Sequence, residues 1–201
     1  MKYDFIEIGT SNFDTLIQIA DDNTVGLSIE PIKYYLDCLP ERANVRKLNI
    51  AVSRHNMYGK MTVHYVPESV IVEHRLPDWL RGCNAVGTYH FQHEKLDIKH
   101  LVQQDLVDII PIAEVFDRYN VSALDYLKID TEGSDCDIMK NLAAFLKNEP
   151  TTRYPKRILF ESNELAVPTD VEIVKIRFVE LGYEIVQEDY DTILEYKKTA
   201  Q

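Results

Sequence analysis

The sequence predicts an open α/β fold on a mostly parallel sheet, and three observations carry that expectation. Short apolar segments alternate with helical ones through the first fifty positions, several of those segments end in a carboxylate, and the chain closes on a helix followed by a hairpin. Parallel neighbours need a crossover connection where antiparallel ones do not, so strand, helix, strand in quick succession specifies βαβ units.

Tyr3 to Ile8 is the first strand, stopped by Gly9. Thr10-Ser11-Asn12 then suits the cap of a helix lined by Phe13, Leu16, Ile17 and Ala20. Thr24 to Ile29 is the second strand and ends on Glu30-Pro31, with Pro31 in the first turn of a helix through Leu39. Val45 to Val52 reads as the third strand. The pattern breaks over 54–106, where a hairpin arm (Met61, Val63 and Tyr65 alternating) precedes the run Leu76 to Gly87. That stretch holds the only tryptophan, Trp79, and the chain's histidines, and reads as a lid or acceptor-binding insertion. Order returns with a helix over Ile112 to Tyr119, a strand from Leu124 to Ile129 leading into Asp130-Thr131-Glu132-Gly133, and a helix carrying Ile138, Leu142, Phe145 and Leu146. A strand over Ile158 to Phe160 closes on Glu161, a helix over Val171 to Leu181 stops at Gly182, and Tyr183 to Val186 with Thr192 to Tyr196 form the terminal hairpin. No repeat or linker interrupts 1–201, so the reading is one domain with the 54–106 insertion inside it.

Composition narrows the function. The chain has 201 residues and a formal charge of -11, which argues against nucleic-acid or anionic-membrane partners, since both demand a basic face. The three cysteines are scattered and never paired as CxxC, which fits a reducing, cytoplasmic location. No apolar run approaches the roughly 18 residues of a membrane span.

Four strands end in acids: Glu7, Glu30, Asp130 with Glu132, and Glu161. In an open parallel sheet ligands bind beyond the carboxyl ends of the strands, so these acids are expected to converge on one crevice. The plainer reading is that charges mark where strands leave the core. Glu30 stands about twenty residues past the first turn, where a carboxylate accepts both hydroxyls of a ribose, and this indicates an adenosine-containing cofactor. A dinucleotide would want a glycine-rich GxGxxG turn. Here Gly9 is the single glycine and Glu7 stands just upstream, an acid that repels phosphate but suits an ammonium, which favours S-adenosylmethionine.

Phe5-Ile6-Glu7-Ile8-Gly9-Thr10, Ile29-Glu30-Pro31, Asn49-Ile50-Ala51-Val52-Ser53 and above all Leu127-Lys128-Ile129-Asp130-Thr131-Glu132-Gly133 resemble the motif series of the FkbM-type S-adenosylmethionine-dependent methyltransferases. The resemblance runs from the first strand to Glu161. It implies a class I methyltransferase (Rossmann-like) three-layer sandwich with a seven-stranded, mostly parallel sheet whose last strand is antiparallel. It further implies O-methylation of a sugar or glycan hydroxyl, with a non-sugar natural product or a noncatalytic S-adenosylmethionine-binding module as alternatives. Cofactor contacts are expected from Glu7, Gly9, Thr10, Ser11, Asn12, Glu30, Pro31, Ala51, Ser53 and Asp130. Many members carry a second glycine where Phe13 stands, so the methionine end of the cofactor is expected to be held differently here.

Methyl transfer to an alcohol needs in-line positioning and a group to take the proton. Asp130 is the first candidate base and His90 the second. Lys128, two residues before Asp130, could orient the acid or stabilise an alkoxide, or simply pair with a neighbouring acid. Acceptor contacts are expected from Trp79, Arg81, Asn84, Tyr89, His90, Glu132 and Glu161. Trp79 has an equally plain role in packing the lid on the sheet. His90-x-x-His93 lacks zinc-site spacing, and no metal ligand is assigned; magnesium at Asp130 and neighbouring acids is compatible with the sequence but not required by it. The acceptor is expected to be a small molecule or glycan. A start at the first strand fits one domain of a larger glycan-modifying polypeptide.

Overall fold

In a computed structural model of the chain, residues 1–197 are described. Seven strands form the main sheet. In chain order they are β1 (Lys2–Ile8), β2 (Gly26–Ile29), β3 (Val45–Leu48), and then, after the insertion and its strands β4 to β7, β8 (Ala123–Ile129), β9 (Arg157–Glu161), β10 (Tyr183–Glu188) and β11 (Asp191–Tyr196). The spatial order is β10-β11-β9-β8-β1-β2-β3. The five strands from β3 to β9 run parallel, while β11 lies between β10 and β9 and is antiparallel to both. The expected α/β fold, with its last strand reversed, is therefore present.

Successive residues of a strand face opposite sides of the sheet, so β1 splits its apolar residues between two layers. Ile6 and Ile8 join a core built with α5 (Ile112–Arg118), α6 (Asp135–Leu146) and α7 (Pro168–Glu180). Phe5 joins another with α1 (Leu16–Ile19) and α2 (Lys33–Cys38). Helix α6 shows why: Ile138, Met139, Leu142, Ala143 and Leu146 recur at helical spacing and are all buried. Within the sheet, Gly26 of β2 leaves room for its register partner in β1, since a Cβ there would meet the Phe5 ring at 2.4 Å.

Three boundaries differ from the sequence reading, each for a local reason. The first helix is only four residues long, because Ser11 and Asp14 adopt left-handed backbone (φ 49° and 51°) before it begins. Its start is not capped locally; the Leu16 amide donates to Glu7 Oε2 from β1 at 2.8 Å. Pro31 falls outside α2, whose first turn is met instead by Glu30 Oε1 accepting from the Ile32 amide at 2.8 Å. The third strand ends at Leu48: the Asn49 side chain donates to the Glu30 and Pro31 carbonyls (3.1 and 2.8 Å), and the chain turns into a separate short strand, β4 (Ala51–Val52).

The insertion is a folded unit. β4 pairs with β7 (Gln103–Ile110), which pairs along its whole length with β5 (Gly59–Tyr65); β6 (Ala85–Val86) completes this second sheet. The alternation at Met61, Val63 and Tyr65 thus marks a strand, but its main partner comes some forty residues later rather than from an adjacent hairpin arm. This sheet buries Val63, Tyr65, Val107 and Ile109 against Ile32 and Tyr35 of the α2 region. Beside it α3 (Glu68–Glu73), a 3-10 turn at Asp78–Arg81 and α4 (Phe91–Lys95) enclose a small core of their own: Val66, Ile71, Leu80, Cys83 and Ile98. No described helix is long and apolar enough to cross a membrane.

Candidate functional site

The carboxyl ends of β1, β2 and β8 open on one cleft, walled on its other side by the insertion through Met61, Val63, Asn84, Ala85, Val86 and Ile109. Its volume is about 1040 Å³ with the open mouth included.

The turn after β1 forms the floor. Gly9 has φ +82°, and a Cβ there would lie 1.7 Å from the Asp130 carbonyl oxygen, so only glycine lets the β1 and β8 ends approach this closely. Beyond it, Glu30 is 3% exposed and accepts the Ser11 amide at Oε2 (2.7 Å) and the Ile32 amide at Oε1 (2.8 Å). Burial pushes its carboxyl up to about 7 although these amides oppose the shift. Each carboxylate oxygen keeps a lone pair for a further donor, such as a ribose hydroxyl. Ser11 Oγ and Asn12 Oδ1 are buried without a partner among the described residues. A glycine cradle, a fixed carboxylate and the orphaned Ser11 hydroxyl along one turn fit the nucleoside and amino-acid groups of S-adenosylmethionine.

Of the residues expected to hold the cofactor, Gly9, Thr10, Ser11, Glu30, Pro31, Ala51, Ser53 and Asp130 line the cleft. Ser53 also accepts the His55 and Met57 amides, fixing the turn into the insertion. Asn12 is not among the lining residues. Glu7 is placed elsewhere: fully buried beneath the turn, it accepts from Lys128 Nζ at 3.0 Å and from the Leu16 amide, so both oxygens serve the fold. It is not positioned to receive a cofactor ammonium.

Lys128 lines the cleft as the centre of a small ion cluster, 3.0 Å from Glu7 Oε1, 3.8 Å from Asp130 Oδ2 and 3.1 Å from the Asp14 carbonyl. Burial pulls its pKa down, but the two carboxylates more than offset this and hold it above the ordinary lysine value. The ion-pair role weighed from the sequence is the one these contacts support. Asp130 has its side chain 40% exposed, and burial of the surrounding cleft still holds its carboxyl above the ordinary aspartate value against the pull of Lys128, with Asp191 adding to the shift.

Three carboxylates meet where the sheet faces the lid. Asp130, Glu132 and Glu161 each offer an oxygen within 4.8 Å of the others. Glu132 sits at φ +54°, a strained backbone for a non-glycine residue. Burial, then the Asp130 and Asp135 charges, push it up to about 8; burial and Glu132 foremost push Glu161 up to about 9. His90 reaches this group from the lid, its Nε2 lying 3.4 Å from Glu132 Oε2, and burial keeps the imidazole below the ordinary histidine value, hence neutral near pH 7.

The remaining expected acceptor residues divide. Asn84 lines the cleft, its amide donating to the Arg81 carbonyl at 2.8 Å with Oδ1 buried and unpartnered among the described residues. Arg81 does not line it; paired with Asp78, it lies over the Phe13 ring at 5.1 Å and so fastens the lid to the cofactor turn. Trp79 is 51% exposed and is not among the residues lining the cleft. Tyr89 packs on His64 at 4.5 Å between ring centroids and accepts from Gln104, as part of the lid's own structure. Asp135 went unremarked in the sequence. It is 2% exposed and accepts from the Thr131 and Gly133 amides and the Thr131 hydroxyl, so it shapes the Asp130–Gly133 turn from the first turn of α6. An acid just after Gly133 at a helix start was the available signal.

The profile of the methyltransferase FkbM domain family matches residues 7–190. The chain belongs to this family. Membership implies methyl transfer with S-adenosylmethionine as donor, and the matched span runs from Glu7 through the cofactor turn, the insertion and the three-acid group to the terminal hairpin. No curated protein gives a match to the sequence.

Proposed function

We propose that the chain is an O-methyltransferase of class I architecture that transfers the methyl group of S-adenosylmethionine to a hydroxyl of a sugar or glycan. The observation that carries this reading is the single cleft in which the Gly9 turn and Glu30 face Asp130 across one opening. When bound, the donor supplies an electrophilic methyl on a sulfonium. Gly9 lets the chain close beneath it, and Glu30, held by the Ser11 and Ile32 amides, accepts the ribose hydroxyls. Asp130, at the end of the central strand, takes the acceptor proton, and its raised pKa brings a carboxylate closer to the range where a base is effective. Lys128 keeps Asp130 oriented. Asn84 and Glu132 supply hydrogen bonds of the kind that read hydroxyl groups, between the apolar walls of Met61, Val63 and Val86. Mass spectrometry of a panel of glycosides and of non-sugar alcohols, each incubated with protein and methyl donor, tests the reading. Methylated glycosides are the expected product; methylation confined to non-sugar alcohols replaces the substrate class, and no methylation of any acceptor with donor bound replaces the enzyme by a binding module.

A further inference from the structure

We propose that Asp130, Glu132 and Glu161 hold a divalent cation where the sheet edge meets the lid, with His90 as the hydrogen-bond partner that orients Glu132. One oxygen from each acid lies within 4.8 Å of the other two. An octahedral cation of the magnesium type, with bonds of about 2.1 Å, sets neighbouring ligand atoms about 3 Å apart and opposite ones about 4.2 Å apart. A small side-chain rotation brings the three oxygens into that range.

His90 is the second and independent observation. Its side chain is 4% exposed, its Nε2 has no hydrogen-bond partner among the described residues, and that atom lies at the acid group, 3.4 Å from Glu132 Oε2. Nδ1 accepts the Gln92 amide at the start of α4, which fixes the proton of the neutral ring on Nε2. His90 therefore brings a donor rather than a lone pair. Closing that 3.4 Å gap would give Glu132 a donor that favours its carboxylate form and leaves the other oxygen for a cation, as outer partners of metal-bound carboxylates do. Glu161 repeats the arrangement: Oε1 accepts from Asn163 Nδ2 at 2.5 Å, while Oε2 is buried and unpartnered among the described residues. Lys128 reaches the group only at Asp130, 3.8 Å away, and shares its one charge with Glu7 at 3.0 Å, so it does not neutralise three carboxylates. Oxygen ligands alone select a hard cation such as magnesium or manganese over zinc. Beside Asp130, such an ion would lower the pKa of an acceptor hydroxyl.

Manganese is the probe, since its paramagnetic resonance signal reports the free ion. The wild-type chain, with neither donor nor acceptor present, is expected to bind one Mn²⁺, so the result stands apart from the methyl-transfer reading. Glu161→Gln should weaken binding at least about tenfold, and His90→Ala by about 10- to 100-fold through loss of the orienting donor. Glu184→Gln, on the terminal hairpin, should leave it unchanged. Circular dichroism establishes that each variant is folded, and if Glu161→Gln is not, His90→Ala carries the test. Absence of saturable binding, wild-type affinity in the folded cluster variants, or an equal loss in Glu184→Gln would overturn the proposal.

Discussion

The two halves of the cleft treat their carboxylates in opposite ways. On the cofactor side, Glu30 is buried and accepts the backbone amides of Ser11 and Ile32. On the lid side, Glu132 and Glu161 crowd together with Asp130, and Glu161 Oε2, Asn84 Oδ1 and His90 Nε2 are without partners among the described residues. Buried polar groups left unpaired are costly, whereas paired ones hold a fixed geometry. On the proposed reading, the contrast separates a preformed cofactor seat from an acceptor side that is completed by what binds there.

If the cofactor seat is preformed, damage to its backbone should be the most severe. Gly9→Ala places a methyl group against the Asp130 carbonyl in a left-handed turn, so titration calorimetry is expected to show donor affinity down on the order of 100-fold or more. Glu30→Gln keeps the side chain's size but exchanges one acceptor oxygen for a donor beside the Ser11 and Ile32 amides; a loss of about tenfold or more in donor affinity is expected, and unchanged affinity would remove Glu30 from the seat. The lid side should respond differently. Asn84→Ala is expected to lower kcat/KM for the acceptor about tenfold, the worth of one hydrogen bond, with donor affinity intact; a parallel fall in both would join the lid to the cofactor seat.

The smallest effect is one of stability. The folded state binds more protons at Glu132 and Glu161 than the unfolded chain does, since their carboxyls are pushed up to about 8 and about 9. Their protonated forms are therefore compatible with the fold at low pH, and stability falls as pH rises from about 4.5 through about 9. In chelator, Glu161→Gln should flatten that fall and raise the melting temperature at pH 8.5 by a few degrees, at roughly 2–4 °C per kcal/mol. A melting temperature that rises with pH in the wild type would contradict the crowded-acid description.

What could be read from the sequence follows the same division. The cofactor seat is local: Gly9, Glu30 and Asp130 each close a strand, and strand ends are visible as apolar runs meeting a turn. Glu7 misled because its type suited an ammonium, while its partner Lys128 lies 121 positions away and becomes visible only once β1 and β8 are paired. The lid was legible as an interruption but not as a sheet. Strand β7 carries Asp105 and Asp108 among its apolar residues, and its partner β5 is about forty residues distant, so neither period nor proximity announced it. Trp79 and Tyr89 were singled out by residue type, yet one is half exposed away from the cleft lining and the other packs on His64.

The division between a seat that binds and a carboxylate that reacts is tested most directly at Asp130, which borders both. Asp130→Asn preserves shape and removes the proton acceptor. Donor affinity by calorimetry and turnover by methyl-product formation, measured on the same preparation, are expected to part: affinity within a few fold of wild type, and kcat lower by at least about 10²-fold. Turnover within a few fold of wild type would contradict the account, and a pH profile of kcat that then moved on His90 substitution would pass the proton to the lid.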